Sequence, residues 1–241
     1  MIPRLTTWAQ THVGTVRKHN EDAYLCRPDL GLWAVADGAG GHQSGELASG
    51  MIVAALDRLE PGLTAAELLP RVRGAMTETH GALLHEAAMR GAGALIASTV
   101  VILVLRDNHF ACLWAGDSRA YLLRDGELTR ITRDHSLVQD LVDEGRLSTE
   151  AAERHPRANV ITRAVGANGT VLELDKVIGN VEPNDQFLLC SDGLSKTLPE
   201  SEIAVLLDAP DGVPPTELLV AAALARQGSD NVTAITIRVA S

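Results

Sequence analysis

The stretch LGLWAVADGAGGH, residues 30–42, places an aspartate and a group of glycines directly after a strongly apolar run. An apolar run of this length is typical of a strand that is buried on both faces. Asp-Gly is also a common turn pair, so Asp37 has two interpretations: a turn residue, or a residue that holds a ligand. The local sequence leaves both open, but the same arrangement recurs along the chain.

Three other aspartates lie beside apolar strand-like segments. Asp117 follows CLWAG, Asp192 follows FLLCS, and Asp230 precedes NVTAI. Each aspartate alone is an ordinary turn former. Four charged groups at the ends of buried strands, however, need compensation for their lost hydration. We therefore expect the four aspartates to share a cation.

The ligand types favour Mg²⁺ or Mn²⁺ over zinc. Carboxylates, backbone carbonyls and water are the ligands of hard divalent cations. A zinc site would need closely spaced His and Cys residues, whereas the eight histidines are scattered and the three cysteines lie far apart. Because four carboxylates are more than a single ion needs as ligands, we expect two metal ions.

The segment VGTVRKHNEDA, residues 13–23, adds Arg17, Glu21 and Asp22. In isolation these are a solvated arginine and a surface acidic pair. Beside the aspartates, Glu21 and Asp22 could hold water in an outer metal shell, and Arg17 offers a planar fork of donors suited to phosphate. Metal ligands, an arginine and no evident protein nucleophile together predict phosphate-ester hydrolysis by bound water.

Other glycine-rich motifs do not fit. A dinucleotide-binding fingerprint that starts at Gly38 would need glycine where the chain has Gln43, and the chain contains neither GK[ST] nor GxSxG. We interpret the glycines as allowing the backbone to approach a metal closely, with Gly38 offering its carbonyl.

Composition narrows the function class. The chain has 241 residues, of which 46% are hydrophobic, and a formal net charge of −10. An acidic surface disfavours binding to nucleic acid or to anionic membranes. The odd, dispersed cysteines indicate reduced thiols, the N-terminus lacks a signal-peptide layout, and the longest apolar stretch is too short to span a bilayer. We expect a cytoplasmic protein, and a monomer.

The order of elements predicts one α+β domain. Strand-like segments at both ends of the chain enclose helical segments, and short hairpin turns join neighbouring strands, which favours antiparallel sheets with helix pairs on their outer faces. We predict a short helix at 136–144 and a strand at 171–177, whereas residues 145–159 are polar and show no strong period.

Taken together, these segments resemble the PPM family of metal-dependent serine/threonine phosphatases (PP2C-like), in its bacterial branch. The resemblance runs nearly end to end in the order VGTVRKHNEDA, VADGAGGH, ASTVV, WAGDSRAYLLRDGEL, ITRDHS, NVITRAVG, FLLCSDGL and SDNVTAI. It implies a four-layer αββα sandwich, in which two stacked antiparallel β-sheets are flanked by helix pairs. It also implies one domain over residues 1–241, with a mobile flap at about 136–159.

The resemblance implies a binuclear Mn²⁺ or Mg²⁺ centre and assigns its ligands by position. Asp37 would bridge both ions and position the attacking water, and the Gly38 carbonyl would bind the first ion. Asp192 and Asp230 would complete the second. Asp117 matches a position that helps to hold a third, weaker ion in bacterial members.

The remaining matched positions lie around this centre. Glu21 and Asp22 would bind the ions through water, and Arg17 matches the phosphate-binding arginine. Animal members carry a histidine, proposed as general acid, directly after the Asp-Gly pair, where this chain has Ala39. His42 matches a common bacterial histidine; a proton donor and a support for the glycine loop both remain open for it.

The function that the resemblance implies is direct hydrolysis of phosphoserine and phosphothreonine in proteins. A water that bridges the two metals would attack phosphorus in line with the leaving oxygen. The partners would be a phosphorylated protein substrate and a bacterial serine/threonine kinase that the enzyme opposes. Two alternatives stay open: a non-catalytic module that binds phosphoproteins, and a hydrolase of small phosphorylated metabolites.

Overall fold

Two antiparallel sheets form the centre of the structure, a computed structural model that describes residues 4–40, 44–167, 169–209 and 212–240. Sheet 1 has the strand order β1-β11-β10-β7-β8, so it joins the first and last strands of the chain. Its strands are β1 (Leu5–His12), β7 (Arg119–Arg124), β8 (Glu127–Arg130), β10 (Gln186–Cys190) and β11 (Val232–Val239).

Sheet 2 has the order β2-β3-β5-β6-β9, and the short β4 pairs with the end of β3. Its strands are β2 (Asp22–Arg27), β3 (Leu32–Ala39), β4 (Ala97–Ser98), β5 (Val100–Arg106), β6 (His109–Ala115) and β9 (Asp175–Asn180).

The helices lie on the outer faces of the sheets and in the connections. The helices are α1 (Ser44–Asp57), α2 (Ala65–Arg90), α3 (Leu137–Asp143), α4 (Thr149–Glu153), α5 (Asp192–Ser195), α6 (Glu200–Leu207) and α7 (Pro215–Ala225). The long helices α1 and α2 cover sheet 2, while α6 and α7 cover sheet 1. Among the described residues, no helix is both long enough and apolar enough to cross a membrane.

Strand β3 shows how alternation builds the layers. Trp33 and Val35 face the core between the two sheets, where they join Phe187 and Ile235 of sheet 1. Their neighbours on the opposite face, such as Ala34, pack under α1 and α2. Because both faces are covered, the first five residues of the strand, 32–36, are all apolar. The predicted αββα sandwich is therefore confirmed.

The structure differs from the predicted elements near residues 145–180. Helix α4 lies in the stretch 145–159, which shows no strong period in the sequence, because a helix of five residues is too short to show one. The predicted strand at 171–177 is displaced to β9, because β9 pairs with β6 and this pairing begins at Asp175 opposite Trp114, one residue before β6 ends.

Candidate active site

The predicted site residues come from separate chain segments that meet at one end of the two sheets. Asp22 and Asp37 are cross-strand partners in sheet 2. A hydrogen bond of 2.8 Å from Ser191 Oγ to Asp22 Oδ2 connects them to the end of β10 in sheet 1, directly before Asp192. Thr233 Oγ1 of β11 donates to the same oxygen at 2.7 Å. This carboxylate cluster therefore lies where the two sheets join.

The interpretation of Asp37 as a turn residue predicts that the strand ends there, but the strand continues. Strand β3 continues through Gly38 and Ala39, because β4 supplies pairing partners for both residues. The Asp37 carbonyl accepts hydrogen bonds from Thr99 N and Ser98 Oγ, both at 2.9 Å. The backbone at Asp37 is thus fixed on both sides, which orients its side chain toward the cluster. Asp37 is a strand residue.

Gly38 occupies a position that only glycine fits. Its N–H donates to the Glu21 carbonyl at 3.1 Å. A Cβ at this position would lie 2.1 Å from the Gly45 carbonyl oxygen and 2.7 Å from that of Glu21. The glycine therefore serves close packing of three backbone segments, and α1 begins directly against the cluster.

The electrostatics of the cluster are those of crowded carboxylates. Burial raises the pKa of Asp37 well above its ordinary value, and the charges of Asp192, Asp22, Asp117 and Asp230 raise it further. This mutual repulsion means that the four aspartates and Asp22 form one electrostatic unit.

Asp22 is held most tightly. Burial raises the pKa of Asp22 to about 7, against the opposing effect of the hydrogen bonds from Thr233 and Ser191. Both bonds go to one oxygen, Oδ2. The carboxyl group is therefore fixed in orientation by two hydroxyls that sequence reasoning did not single out, because serine and threonine are ordinary strand residues.

The cationic side chains of Arg17 and Lys196 contact three of the aspartates. Arg17 Nη2 lies 2.8 Å from Asp230 Oδ2, and the two side chains are 52% and 38% exposed. Lys196 Nζ lies 2.8 Å from Asp117 Oδ2 and 2.6 Å from Asp192 Oδ2. Sequence analysis missed Lys196; its only signal was a spacing of four residues after Asp192, at the end of α5.

Whether the residues suit a divalent cation can be judged from their unpaired oxygens. Glu21 Oε1 and Asp117 Oδ1 are buried, yet neither has a hydrogen-bond partner within the part of the chain that the structure describes. Burial also raises the pKa of Glu21. Because an unpaired buried carboxylate oxygen is costly, and because the donors are all oxygens, the set fits Mg²⁺ or Mn²⁺.

The described ranges contain no group of three Asp, Glu, His or Cys side chains already arranged to hold one metal ion. Asp117, Asp192 and Asp230 instead form ion pairs with the side chains of Arg17 and Lys196. Ala39 lies in β3 and offers no ionisable group. His42 lies outside the described residues, so its predicted roles stay predictions.

The comparisons with known proteins identify the family. The sequence pattern of the family described as Protein phosphatase 2C matches residues 11–211. The chain therefore belongs to the protein phosphatase 2C (PPM) family of serine/threonine protein phosphatases.

One relative by sequence and two solved structures show what this chain is similar to. The serine/threonine protein phosphatase PstP of Mycobacterium tuberculosis is 37% identical over 94% of this chain, which spans only 43% of that relative. The solved structure of PppA, described as a key regulatory component of T6SS in Pseudomonas aeruginosa, is 42% identical, with a TM-score of 0.91 and coverage of 99% of both chains. The PstP catalytic domain in complex with two manganese ions is 35% identical, with a TM-score of 0.87, covering 98% of this chain and 99% of that one.

Proposed function

We propose that this chain hydrolyses phosphoserine and phosphothreonine in proteins at a binuclear Mn²⁺ or Mg²⁺ centre held by the carboxylate cluster. The observation that carries the proposal is the convergence of acidic side chains from both sheets, with buried carboxylate oxygens that have no partner in the described residues. The manganese complex of the related PstP domain supports the choice of metal.

Five residues would hold the metal centre. Asp37 is the cross-strand partner of Asp22, and the charges of the other aspartates add to the effect of burial in raising its pKa. Asp192 and Asp230 approach from sheet 1, while Glu21 and Asp22 are placed for contacts through water. When bound, the divalent ions would supply a water of lowered pKa and positive charge for the phosphoryl oxygens.

The remaining steps belong to the protein's own side chains. Arg17 lies at the open edge of the cluster with half of its side chain exposed, where its guanidinium can bind phosphoryl oxygens by paired hydrogen bonds. Asp230 holds Arg17 in this place and raises its pKa, so the guanidinium stays charged. Ala39 cannot donate a proton, so the leaving alkoxide would take its proton from water; the proton-donor role predicted for His42 stays open.

We propose that residues 1–241 form one phosphatase domain with a flap at about 136–159. This segment contains α3 and α4 and is fastened at its base, where Ser136 bridges to Ile161 and Leu137 N donates to the Val160 carbonyl at 2.9 Å. Its position next to the cluster suits contact with the residues that flank a phosphorylated side chain. A protein substrate is therefore favoured over a small metabolite.

The biological partners follow from the same proposal. A phosphatase of this type acts on phosphoproteins made by a serine/threonine kinase, and the similarity to PppA, a regulatory component, favours such a signalling role. We propose a cytoplasmic monomer that opposes a bacterial kinase.

Turnover of p-nitrophenyl phosphate and of a phosphothreonine peptide, with Mn²⁺ or with a chelator, tests the function. We expect Mn²⁺-dependent hydrolysis of both substrates by the wild type and loss of both in Asp192→Asn. Asp29→Asn, which changes an exposed aspartate outside the cluster, is the matched control and should keep full activity.

Each alternative has its own outcome. Peptide binding without turnover would favour a non-catalytic module. Turnover of small phosphate esters but not of the peptide would favour a metabolite hydrolase. Full activity in Asp192→Asn would contradict the metal assignment.

A further inference from the structure

Lys196 is a basic side chain that lies between two aspartates of the carboxylate cluster, Asp117 and Asp192. Its ammonium group lies 2.8 Å from Asp117 Oδ2, 2.6 Å from Asp192 Oδ2 and 3.0 Å from Asn159 Oδ1. An ammonium group has three N–H donors, and here each has one oxygen acceptor. All three N–H donors of the Lys196 ammonium group are therefore satisfied by oxygen acceptors.

The backbone fixes this arrangement. Asp192 is the first residue of α5 and Lys196 follows the helix directly, so the two side chains lie one helical turn apart on the same face. The Asp117 side chain is only 1% exposed, whereas Lys196 is 33% exposed. The lysine thus covers a buried carboxylate from the solvent side.

Lys196 forms an ion pair with each of two carboxylates, at 2.8 Å to Asp117 Oδ2 and 2.6 Å to Asp192 Oδ2. A positive charge therefore lies between two carboxylates that repel one another.

We propose that Lys196 is a built-in cation that takes the position between Asp117 and Asp192, so that this chain has no third metal site there. The proposal rests on the proposed function, because it concerns the same carboxylate cluster. A divalent ion and an ammonium group cannot both lie between the same two oxygens, since they would repel one another and occupy the same space. Asp117 is then a partner of Lys196 through Oδ2, its unpaired Oδ1 alone does not make a third site, and the metal centre is limited to the ions at Asp37.

The same lysine connects the centre to the proposed flap. Asn159 lies at the C-terminal end of the segment 136–159, and its side-chain oxygen accepts a hydrogen bond from Lys196. An ammonium group can keep this contact without any metal in solution. The end of the flap is therefore held beside the cluster independently of the metal concentration.

Counting bound Mn²⁺ tests the proposal directly. Metal-free wild type, Lys196→Met and Lys196→Arg would each be titrated with Mn²⁺ while the electron paramagnetic resonance signal of free Mn²⁺ is recorded. We expect Lys196→Met to bind one more ion per chain than the wild type, with the added ion bound most weakly. Lys196→Arg keeps the charge and should bind as many ions as the wild type.

Two further variants keep the result interpretable. Lys176→Met removes an exposed lysine of β9 and should leave the ion count unchanged. If circular dichroism shows that Lys196→Met is unfolded, Lys196→Gln keeps a hydrogen-bond donor without the charge and should gain the same ion.

The outcomes separate this proposal from the proposed function. An equal ion count in the wild type and in the folded Lys196→Met or Lys196→Gln variant would overturn the role of Lys196 alone, as would an added ion in Lys196→Arg. A wild type that binds no Mn²⁺ would instead contradict the metal centre itself, and with it the proposed function.

Discussion

At the scale of single residues, the site depends on backbone packing as much as on carboxylates. Gly38 is enclosed by the carbonyl groups of Glu21 and Gly45, and neither can move as the end of a flexible side chain could. The residue next to the central aspartate therefore positions α1 and the β1–β2 loop against the cluster. This constraint makes the glycine as necessary to the site as its charged neighbours.

We expect Gly38→Ala to destabilise the fold by about 1–3 kcal/mol or more, because an added Cβ would overlap backbone atoms. Gly74→Ala is the matched control: Gly74 lies in α2 with open space around its Cα, and alanine should stabilise that helix by about 0.5–1 kcal/mol. Urea unfolding of both variants measures the difference. Equal stability of the two variants would show that the close contacts at Gly38 relax easily.

His135 is a second residue whose environment decides its behaviour. Its ring stacks on Trp114 with 5.9 Å between ring centroids. Nδ1 accepts a hydrogen bond from Gly116 N at 3.2 Å, and Nε2 lies 3.2 Å from Asp175 Oδ2. Burial lowers the pKa of His135, and the charge of Arg163 lowers it further, although Asp175 raises it. The folded protein therefore favours the neutral imidazole.

The contribution of His135 to the stability of the metal-free protein should consequently fall as the pH falls below the pKa of an unfolded histidine, about 6.5. In that range the unfolded state binds a proton that the folded His135 does not, so the slope from this residue reaches at most about 1.4 kcal/mol per pH unit. In denaturant unfolding between pH 7.5 and 5.5, the stability of His135→Gln relative to the wild type should therefore rise as the pH falls. His109→Gln, at an exposed histidine of β6, should retain the wild-type slope.

At the scale of elements, long segments were predictable and short ones were not. The helix predicted at 136–144 corresponds to α3, and Ser136 caps it by accepting from Gln139 N at 3.3 Å. By contrast, α5 has four residues and β8 has four, so neither shows a period in the sequence. Their positions depend on tertiary contacts, such as the pairing of β8 with β7.

Prediction of the site from the sequence was limited in the same way. Its aspartates were visible because each interrupts an apolar segment. Lys196 was not, because a lysine four residues after an aspartate is common on exposed helices. Ser191 and Thr233 contact Asp22 only after two sheets have come together. The sequence thus indicated the charged members of the cluster, whereas the groups that orient them required the fold.

Asp185 connects elements away from the site. Its fully buried carboxylate accepts from Arg124 Nε and Nη2 of β7, both at 2.7 Å, and from Glu182 N at 2.8 Å. It therefore joins the turn before β10 to the neighbouring strand of sheet 1. This pair is buried on the aspartate side, where loss of one charge is costly.

We expect Asp185→Asn to lower the free energy of unfolding by about 2–4 kcal/mol, because Arg124 would lose a desolvated partner. Asp29→Asn removes a similar two-point contact with Arg27, but the Asp29 side chain is 50% exposed, so its cost should stay below about 1 kcal/mol. Chemical denaturation measures both. Equal losses would mean that burial does not decide the strength of these pairs.

At the scale of the whole molecule, the fold places like charges where its two sheets meet. Sheet 1 supplies Asp192 and Asp230 at the ends of β10 and β11, and sheet 2 supplies Asp22 and Asp37. Most of the chain's interior is apolar and well covered. The cluster is therefore a local cost in stability that the remainder of the sandwich supports, as is common at functional sites.

This cost gives the last prediction, for metal removal. A carboxyl group whose pKa is raised in the folded state destabilises the fold when it is ionised, so metal-free wild type should be less stable than metal-free Asp37→Asn at neutral pH. The difference should shrink as the pH falls, because Asp37 then becomes protonated in the folded wild type. Mn²⁺ at about a hundredfold excess over its Kd should stabilise the wild type by about 2.7 kcal/mol and Asp37→Asn far less. Thermal unfolding with and without chelator measures all three effects. A metal-free Asp37→Asn that melts below the wild type would contradict the repulsion argued for the cluster, whatever its effect on catalysis.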